Sequence, residues 1–364
     1  MSKLLDIETN LIKPLKTLFE LLKDILVDLN LEIIRGENNA KNEKKDADKD
    51  IKKEKNSKET KDDKEEDEED IDIGENEEDG EEDGEEEEDD DKTKDAEKNE
   101  GEQQDDTVKK QDMKGGCIRF TATDHTKTSI INMALYGENF NKFEVGKSVV
   151  DVGINLNQFY KIIKSIENDD MIRLYIDKDD RQNLVMETRK SDGARDSSSK
   201  MKLMDINKKK LNIPPTNFDA VITIDTTEFH KRCKDMNNFA EYIDIQCTRN
   251  KMTLTCKGDV VEHSRDFYPE TSSIKIKFAK NAPPVVQGIF ELKYIVMFTK
   301  CSGLCDEIQI FMKNNYPLSI QYTVATLGRI LFCLAPVPED VITKHFDDED
   351  ELYEHNDVKY KNKD

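Results

Sequence analysis

Met201–Asp219 reads MKLMDINKKKLNIPPTNFD. It opens with alternating apolar residues (Met201, Leu203, Ile206), passes through Lys208, Lys209 and Lys210, and ends on Leu211, Ile213 and two prolines. Pro214 and Pro215 cannot donate to a strand ladder, and they bias Ile213 towards an extended backbone. The stretch therefore reads as an extended strap holding Leu211 and Ile213 out on one side. With the polar residues before it (Ser191, Asp192, Gly193, Ser197–Ser199) the connection reaches about thirty residues, and connections that long inside a compact protein are functional or disordered. The two sides of the strap decide between those, because they repeat.

Upstream, apolar residues at Leu15, Leu18, Phe19, Leu22, Ile25, Leu26 and Leu29 predict an amphipathic helix over Leu11–Leu29, with Pro14 in its first turn. A strand-like piece follows at Leu31–Ile34, and another resumes at Cys117, where Ile118 and Phe120 alternate with polar residues. Strands are then predicted at Ser129–Tyr136, Ser148–Gly153, Met171–Ile176 and Asn183–Thr188, with a helix over Leu156–Ile166. Downstream come a strand at Ala220–Ile224, a helix over Thr227–Met236 and a hairpin, Tyr242–Cys256, turning at Arg249-Asn250. Strands at Val260–Tyr268 and Ser273–Phe278 precede a helix over Leu292–Cys301. Strands at Glu307–Met312, Leu318–Val324 and Arg329–Leu334 close the array.

The helices repeat in sequence. Leu156, Phe159, Ile162 and Lys164 match Leu292, Ile295, Phe298 and Lys300, while Lys23-Asp24 and Lys234-Asp235 each follow an apolar residue, Leu18 or Phe229, five before the lysine. The expected organisation is an N-terminal domain at 1–200, a connector at 201–219, a like C-terminal domain at 220–340 and an acidic tail at 341–364.

The net charge of −24 hides two populations. Across Glu37–Lys114, acids outnumber bases by 37 to 16, and the rest of the chain carries only −3. That segment has no aromatic residue and few aliphatic ones, so it cannot bury enough apolar surface to offset its ordering entropy and is expected to be disordered. It sits where the second domain has a tight hairpin, a place that tolerates insertion. Its flanking strands can still pair, because closure entropy grows slowly with length. No apolar run of membrane-spanning length is present, and the N-terminus MSKLLDIETN lacks a secretion pattern. Seven scattered cysteines suit reduced thiols in an intracellular protein.

Four stretches carry a resemblance to a known family: LKDILVDL in the first helix, MKLMDINKKKLNIP in the strap, EFHKRCKDM in the third helix, and LKYIVMFTKCSGL with PLSIQYTVATLGRILFCLAP near the end. Together they are similar to the eukaryotic-type sliding clamps, the proliferating cell nuclear antigen family. The resemblance spans nearly everything except Glu37–Lys114 and the tail. It implies an α+β chain of two similar clamp domains, three copies closing a homotrimeric ring with helices lining the hole and antiparallel sheets outside. It implies a processivity factor that encircles double-stranded DNA without sequence preference and tethers DNA polymerase, a clamp loader and other clamp-binding-motif proteins. No catalysis, cofactor or metal is implied. The place of action implied is a site of DNA replication, in the nucleus or, for a viral protein, in a cytoplasmic replication site.

Two sets of residues carry that chemistry. Lys16 and Lys23, Lys161 and Lys164, Lys231 and Lys234, and Lys293 and Lys300 are three or seven apart, which puts each pair on one helix face. A single such face is ordinarily just solvated; four at equivalent repeat positions suit phosphate contact, and the resemblance places them towards DNA. Lysine, a strongly hydrated point charge, exchanges easily between phosphates. Thr17 stands where many relatives have a lysine. The resemblance also implies a partner-peptide groove at Ile131 (or Ile130), Leu211, Ile213, Pro214, Pro317, Leu334, Ala335 and Pro336, with backbone pairing along Leu334–Val337. Lys208–Lys210 stand where relatives often carry acids, and Cys333 replaces an aromatic, so acidic-flanked peptides are favoured here. Subunits are expected to meet through the edges Asn183–Arg189 and Glu262–Tyr268.

Competing readings explain less. No Gly-rich phosphate loop, nucleophile elbow or zinc-protease motif occurs, and Cys301 and Cys305 lack a second nearby cysteine pair for zinc. An acidic chaperone-like module using Glu81–Asp91 to hold basic partners would explain the insertion, but neither the repeated domains nor the lysines.

Overall fold

Pro14 and the apolar spacing behind it form α1 (Ile12–Ile25), which buries Ile12, Leu15, Leu18, Phe19, Leu21, Leu22 and Ile25. The computed structural model describes residues 3–36, 114–190, 194–206, 211, 216–338 and 341. All lie in one compact unit, Met1–Ala40 with Gly101–Asp364; the second, Lys41–Glu100, falls outside the described residues. The disorder expected for Glu37–Lys114 and the fraying expected beyond Val341 concern residues that, but for Lys114 and Val341, are also outside them.

The first half continues with β1 (Lys3–Thr9) ahead of α1, then β2 (Asp28–Arg35), β3 (Gly116–Thr123), β4 (Ser129–Tyr136), β5 (Lys142–Val145) and β6 (Val149–Asn155). It ends with α2 (Leu156–Lys164), β7 (Met171–Asp177), β8 (Asn183–Arg189) and β9 (Arg195–Lys202). The second half runs β10 (Ala220–Asp225), α3 (Thr226–Met236), β11 (Tyr242–Thr248), β12 (Met252–Lys257), β13 (Glu262–Phe267), β14 (Ile274–Phe278) and β15 (Val285–Glu291). It closes with α4 (Leu292–Phe298), β16 (Glu307–Met312), β17 (Leu318–Val324) and β18 (Gly328–Leu334). Helices and strands fall in the same order in both halves, so the α+β repeat expected from the helices extends to every strand.

Among the described residues pairing is antiparallel throughout. Three sheets result, ordered β5-β1-β7-β8-β9, β14-β10-β16-β17-β18-β4-β3-β2-β6 and β13-β12-β11-β15. Read through the repeat, the nine-stranded sheet is one five-stranded and one four-stranded sheet fused at β18–β4. The counterparts of those two strands, β9 and β13, end their sheets.

Some boundaries differ from the sequence expectation, each for a physical reason. The first helix stops at Ile25, because Leu26 turns extended (φ −120°, ψ 145°) and Asp28 begins pairing with Asn155. Leu29 is buried from a strand, not a helix. The last turn of the fourth helix tightens to a 3-10 turn at Thr299–Gly303, where the Thr299 hydroxyl donates to the Val296 carbonyl. β1 escaped notice because it is buried on both faces and does not alternate. On one face Asp6, 2% exposed, accepts from Lys142 and from both Nε and Nη2 of Arg173, cross-bracing β5, β1 and β7.

The connection is also shorter than thirty residues. Ser197–Ser199 belong to β9, paired with Thr188, Glu187 and Met186 of β8. Asn183–Arg189 is therefore flanked on both sides and cannot be the free edge expected of it; β9 is. Past β9 the strap is tied down, Leu203 N donating to Gln182 O at 2.8 Å and Met204 N to Gly153 O at 2.9 Å. A Cβ on Gly153 would lie 2.1 Å from the Met204 oxygen, so only glycine lets the strap this close. The tail repeats the device: Val337 N donates to Ile289 O at 2.8 Å, and Ile289, like Gly153, lies two residues before its helix N-cap. At the insertion point Arg35 pairs with Gly116, and a Cβ on Gly36 would lie 2.5 Å from the Gly115 carbonyl carbon.

The second core holds His230 of α3, 3% exposed, with Nε2 2.8 Å from the Tyr322 hydroxyl. Burial, reinforced by the Lys234 charge, pushes its pKa down to about 4. The unfolded chain binds this proton near pH 6.5, so the native state loses stability as pH falls from there towards 4. Between pH 7.5 and pH 5 His230 should cost about 2 kcal/mol. Urea unfolding of His230→Gln over that interval should show a loss smaller by that amount; parallel profiles would contradict it.

Candidate nucleic-acid interface and partner groove

The four helices among the described residues form one unbroken row. α2 packs on α1 through the Phe19–Phe159 edge contact (4.6 Å), α1 touches the 3-10 turn after α4, and α3 packs on both that turn and α4. Side chains hold the start of two of these helices: Asn155 accepts from Gln158 N at 3.1 Å, and Asp225 accepts from Glu228 N at 2.8 Å. Each helix buries its apolar side against the sheets and leaves lysine on the other.

Lys161, Lys164, Lys231, Lys234, Lys293 and Lys300 are exposed; Lys16 and Lys23 are half-buried. Their partners divide them. Lys161, Lys164, Lys231 and Lys234 have no carboxylate partner among the described residues. Lys16 donates to the Asn168 amide oxygen at 3.0 Å, and Lys293 pairs with Glu291 while lying 5.0 Å from the Tyr294 ring centroid. Lys23 and Lys300, from opposite halves, share one carboxylate: Lys23 donates to Asp24 Oδ1 and Lys300 to Asp24 Oδ2. Burial pushes the Asp24 carboxyl up, but those two hydrogen bonds and charges outweigh it and hold the group below its ordinary value.

Lys13, exposed and three residues before Lys16, extends the α1 face and was passed over in the sequence; its three-residue spacing is the signal that could have found it. Thr17 lies on the same helix, its hydroxyl donating to the Lys13 carbonyl at 3.2 Å. Arg232 of α3 is a further cation, paired with Glu228 and Asp235. At the seam of the halves a recess of about 330 Å³ opens between Asp24, the turn at Asp124–Thr126, Lys293 and Tyr294, with His125 in its lining. That turn is locked: Ser129 N donates to Asp124 Oδ1 at 2.8 Å, and the Thr126 and Tyr294 hydroxyls meet at 2.9 Å.

The groove residues are brought together only in part. Leu318 pairs with Leu334, which sets Pro317 beside Ala335; Pro317, Ala335 and Pro336 are half-buried. Leu211 is 42% exposed, whereas Ile213, Pro214 and Lys208–Lys210 lie outside the described residues. Leu334 is 1% exposed. Ile131 is fully buried on the core face, in register with Phe332. Strand alternation gives the opposite face to Ile130, half-buried and in register with Cys333. Cys333 is itself covered, with the Ser319 hydroxyl 3.4 Å from its sulfur, and burial pushes its thiol up. Of the backbone expected to pair with a peptide, Ala335 N already donates to Thr128 O and Val337 N to Ile289 O. An incoming strand cannot use those two donors.

All seven cysteines are free thiols, with six buried and Cys305 half-buried. Among the described residues no group of side chains is arranged to hold a metal, and no helix is long and apolar enough to cross a membrane.

Two descriptions of one family match adjoining parts of the chain. The family description "Proliferating cell nuclear antigen, N-terminal domain" matches residues 104–210, and its C-terminal counterpart matches 212–337. The chain is 30% identical over 226 residues to proliferating cell nuclear antigen of Chaetomium thermophilum, covering 60% of this chain and 85% of that one. It is 27% identical over 224 residues to a probable DNA polymerase sliding clamp of Acanthamoeba polyphaga mimivirus, covering 61% of this chain and 47% of the relative, about half its length. The crystal structure of the Entamoeba histolytica proliferating cellular nuclear antigen shares the fold, with a TM-score of 0.63 at 19% identity over 93% of this chain and 100% of that one.

Opposite faces at adjacent positions predict opposite phenotypes. Ile131→Ala should cost about 2–4 kcal/mol of stability. Ile130→Ala should cost less than about half that, measured by chemical denaturation. Equal costs would contradict the assignment of faces.

Proposed function

The chain belongs to the proliferating cell nuclear antigen family, and from that premise we propose that it is a DNA sliding clamp, a processivity factor that encircles duplex DNA and tethers a DNA polymerase to it. The family's members are not enzymes, and nothing in this function requires a cofactor. One observation supports the ring above all others. Inside the chain the two halves join by pairing β18 with β4, and the same joint is left unmade by their counterparts, β9 and β13. Pairing β9 of one copy with β13 of the next repeats the internal joint, hides two sticky edges and closes a ring after a few copies. We take three, giving a homotrimer of six like domains.

Exposed apolar residues beside β13 support the same contact. Phe239 is 48% exposed, Val261 45% and Val260 93%, while Phe239 lies 6.0 Å from the His263 ring. A second copy would cover them. The continuous row of helices would then line the hole, with Lys16, Lys23, Lys161, Lys164, Lys231, Lys234, Lys293 and Lys300 meeting phosphates by charge alone. Topology retains the DNA, so the contacts can be weak and mobile. Polymerase, clamp loader and other partners would dock a short peptide in a groove made of Leu211, Pro317, Ala335 and Pro336 with Ile130 on its floor, to which Ile213 and Pro214 are proposed to belong. The domain limits proposed are 1–200, 201–219 and 220–340, with β9 running two residues past the first limit. The place of action is wherever DNA is replicated.

Light scattering on the purified chain should give three times the protomer mass, and the protein with a clamp loader should lengthen polymerase products on primed circular DNA. Excision of Glu37–Lys114, with a short turn in its place, should preserve both. A strictly monomeric chain without stimulation would overturn the proposal, and loss of both properties on excision alone would favour the acidic-module reading.

A further inference from the structure

Asp24 is the one acid among the described residues that bonds two of the eight candidate lysines, one from each half. Its position does nothing for the helix that carries it. It lies in the last turn of α1, where the backbone dipole presents its negative end and an acid is disfavoured. The neighbours hold the arrangement in place. Lys23 sits 5.1 Å from the Tyr160 ring centroid of α2, so its amine is held between that ring and Asp24. Lys300 reaches Asp24 from the 3-10 turn beyond α4, across the seam. Lys23, Asp24 and Lys300 are 21%, 28% and 51% exposed in their side chains, so the cluster faces solvent and a passing anion can reach both amines.

From this geometry we infer that Asp24 is a positioning residue that acts as a built-in substitute for phosphate, competing with DNA for Lys23 and Lys300 and keeping that part of the ring's lining weakly attached. The inference rests on the sliding-clamp reading and deepens it. A carboxylate offers a lysine the same charge and the same oxygen acceptors as a backbone phosphate. An amine that leaves one phosphate therefore has a partner waiting, and reaching the next phosphate means giving that partner up. Affinity at the site is lowered while its two amines stay aimed at the hole. Lys161, Lys164, Lys231 and Lys234 lack such a partner among the described residues and would carry most of the attraction. The lining would thus combine strong contacts with a restrained pair rather than eight equal charges.

The test is binding of the full chain to a fluorescent duplex across a salt series. Asp24→Asn should tighten binding several-fold at about 50 mM salt and steepen the slope of log affinity against log salt by about 0.9 per subunit, the increment for one further phosphate neutralised. Asp24→Ser should act in the same direction, and Asp24→Glu should restore wild-type values. Asp179→Asn makes the same charge change in the β7–β8 turn, away from the helices, and should move neither quantity. Unchanged or weakened binding in both Asp24→Asn and Asp24→Ser, or an equal effect of Asp179→Asn, would overturn the inference while leaving the clamp reading intact. A wild-type chain that fails to bind duplex at any salt would overturn the inference, because Asp24 would then have no phosphate to compete with, whereas only a monomeric chain without polymerase stimulation would overturn the clamp reading.

Discussion

Seven residue pairs of main-chain hydrogen bonding between β18 and β4 hold the two halves in one sheet, and the rest of the molecule depends on that joint. A backbone joint fixes register independently of side-chain identity, and a slip of one residue would turn every buried side chain of a strand outward. Register here is pinned from the core side, where Phe332 of β18 stacks on Phe298 of α4 at 4.4 Å and meets Tyr322 of β17 at 5.8 Å. With the sheet continuous, α1 and the turn after α4 come into contact across the seam, and the helices form a single row. Two separately tumbling halves could not present lysines on one surface.

Strand β1 and the helix row use charge in opposite ways. Asp6 is nearly inaccessible and satisfied by Arg173 and Lys142, an arrangement that fixes geometry and whose net stabilisation is modest. On the helix row the ion pairs are half-open and can be exchanged for others. Burial separates a brace from a contact, although both are built from lysine, arginine and carboxylate.

Legibility in the sequence followed the physics of each element. The strap, the helices and most strands show their periodicity plainly, because one face is apolar and the other polar. β1 was invisible, since Leu4, Leu5 and Ile7 are all buried and only the covered Asp6 interrupts them. β15 was hidden by Pro283 and Pro284 before it and Gly288 within it. β9, with Ser197–Ser199, is polar because it is an edge, and polarity alone could not distinguish an edge strand from a loop. The choice between Ile130 and Ile131 needed a register that only the pairing with Cys333 and Phe332 supplies. The shared use of Asp24 was out of reach, because Lys300 lies 276 residues away along the chain.

The glycine neck at Gly36 and Gly115 makes the acidic stretch a graft rather than a part. β2 and β3 pair up to Arg35 and Gly116, so the host sheet is complete without the residues between them. Each doubling of such a loop adds only about 0.6 kcal/mol of closure entropy. Growing from a tight turn to 78 residues therefore costs about 2–3 kcal/mol, spread over many generations. A lineage could lengthen, shorten or rewrite the sequence between Arg35 and Gly116 while the pairing of β2 with β3 stayed as it is.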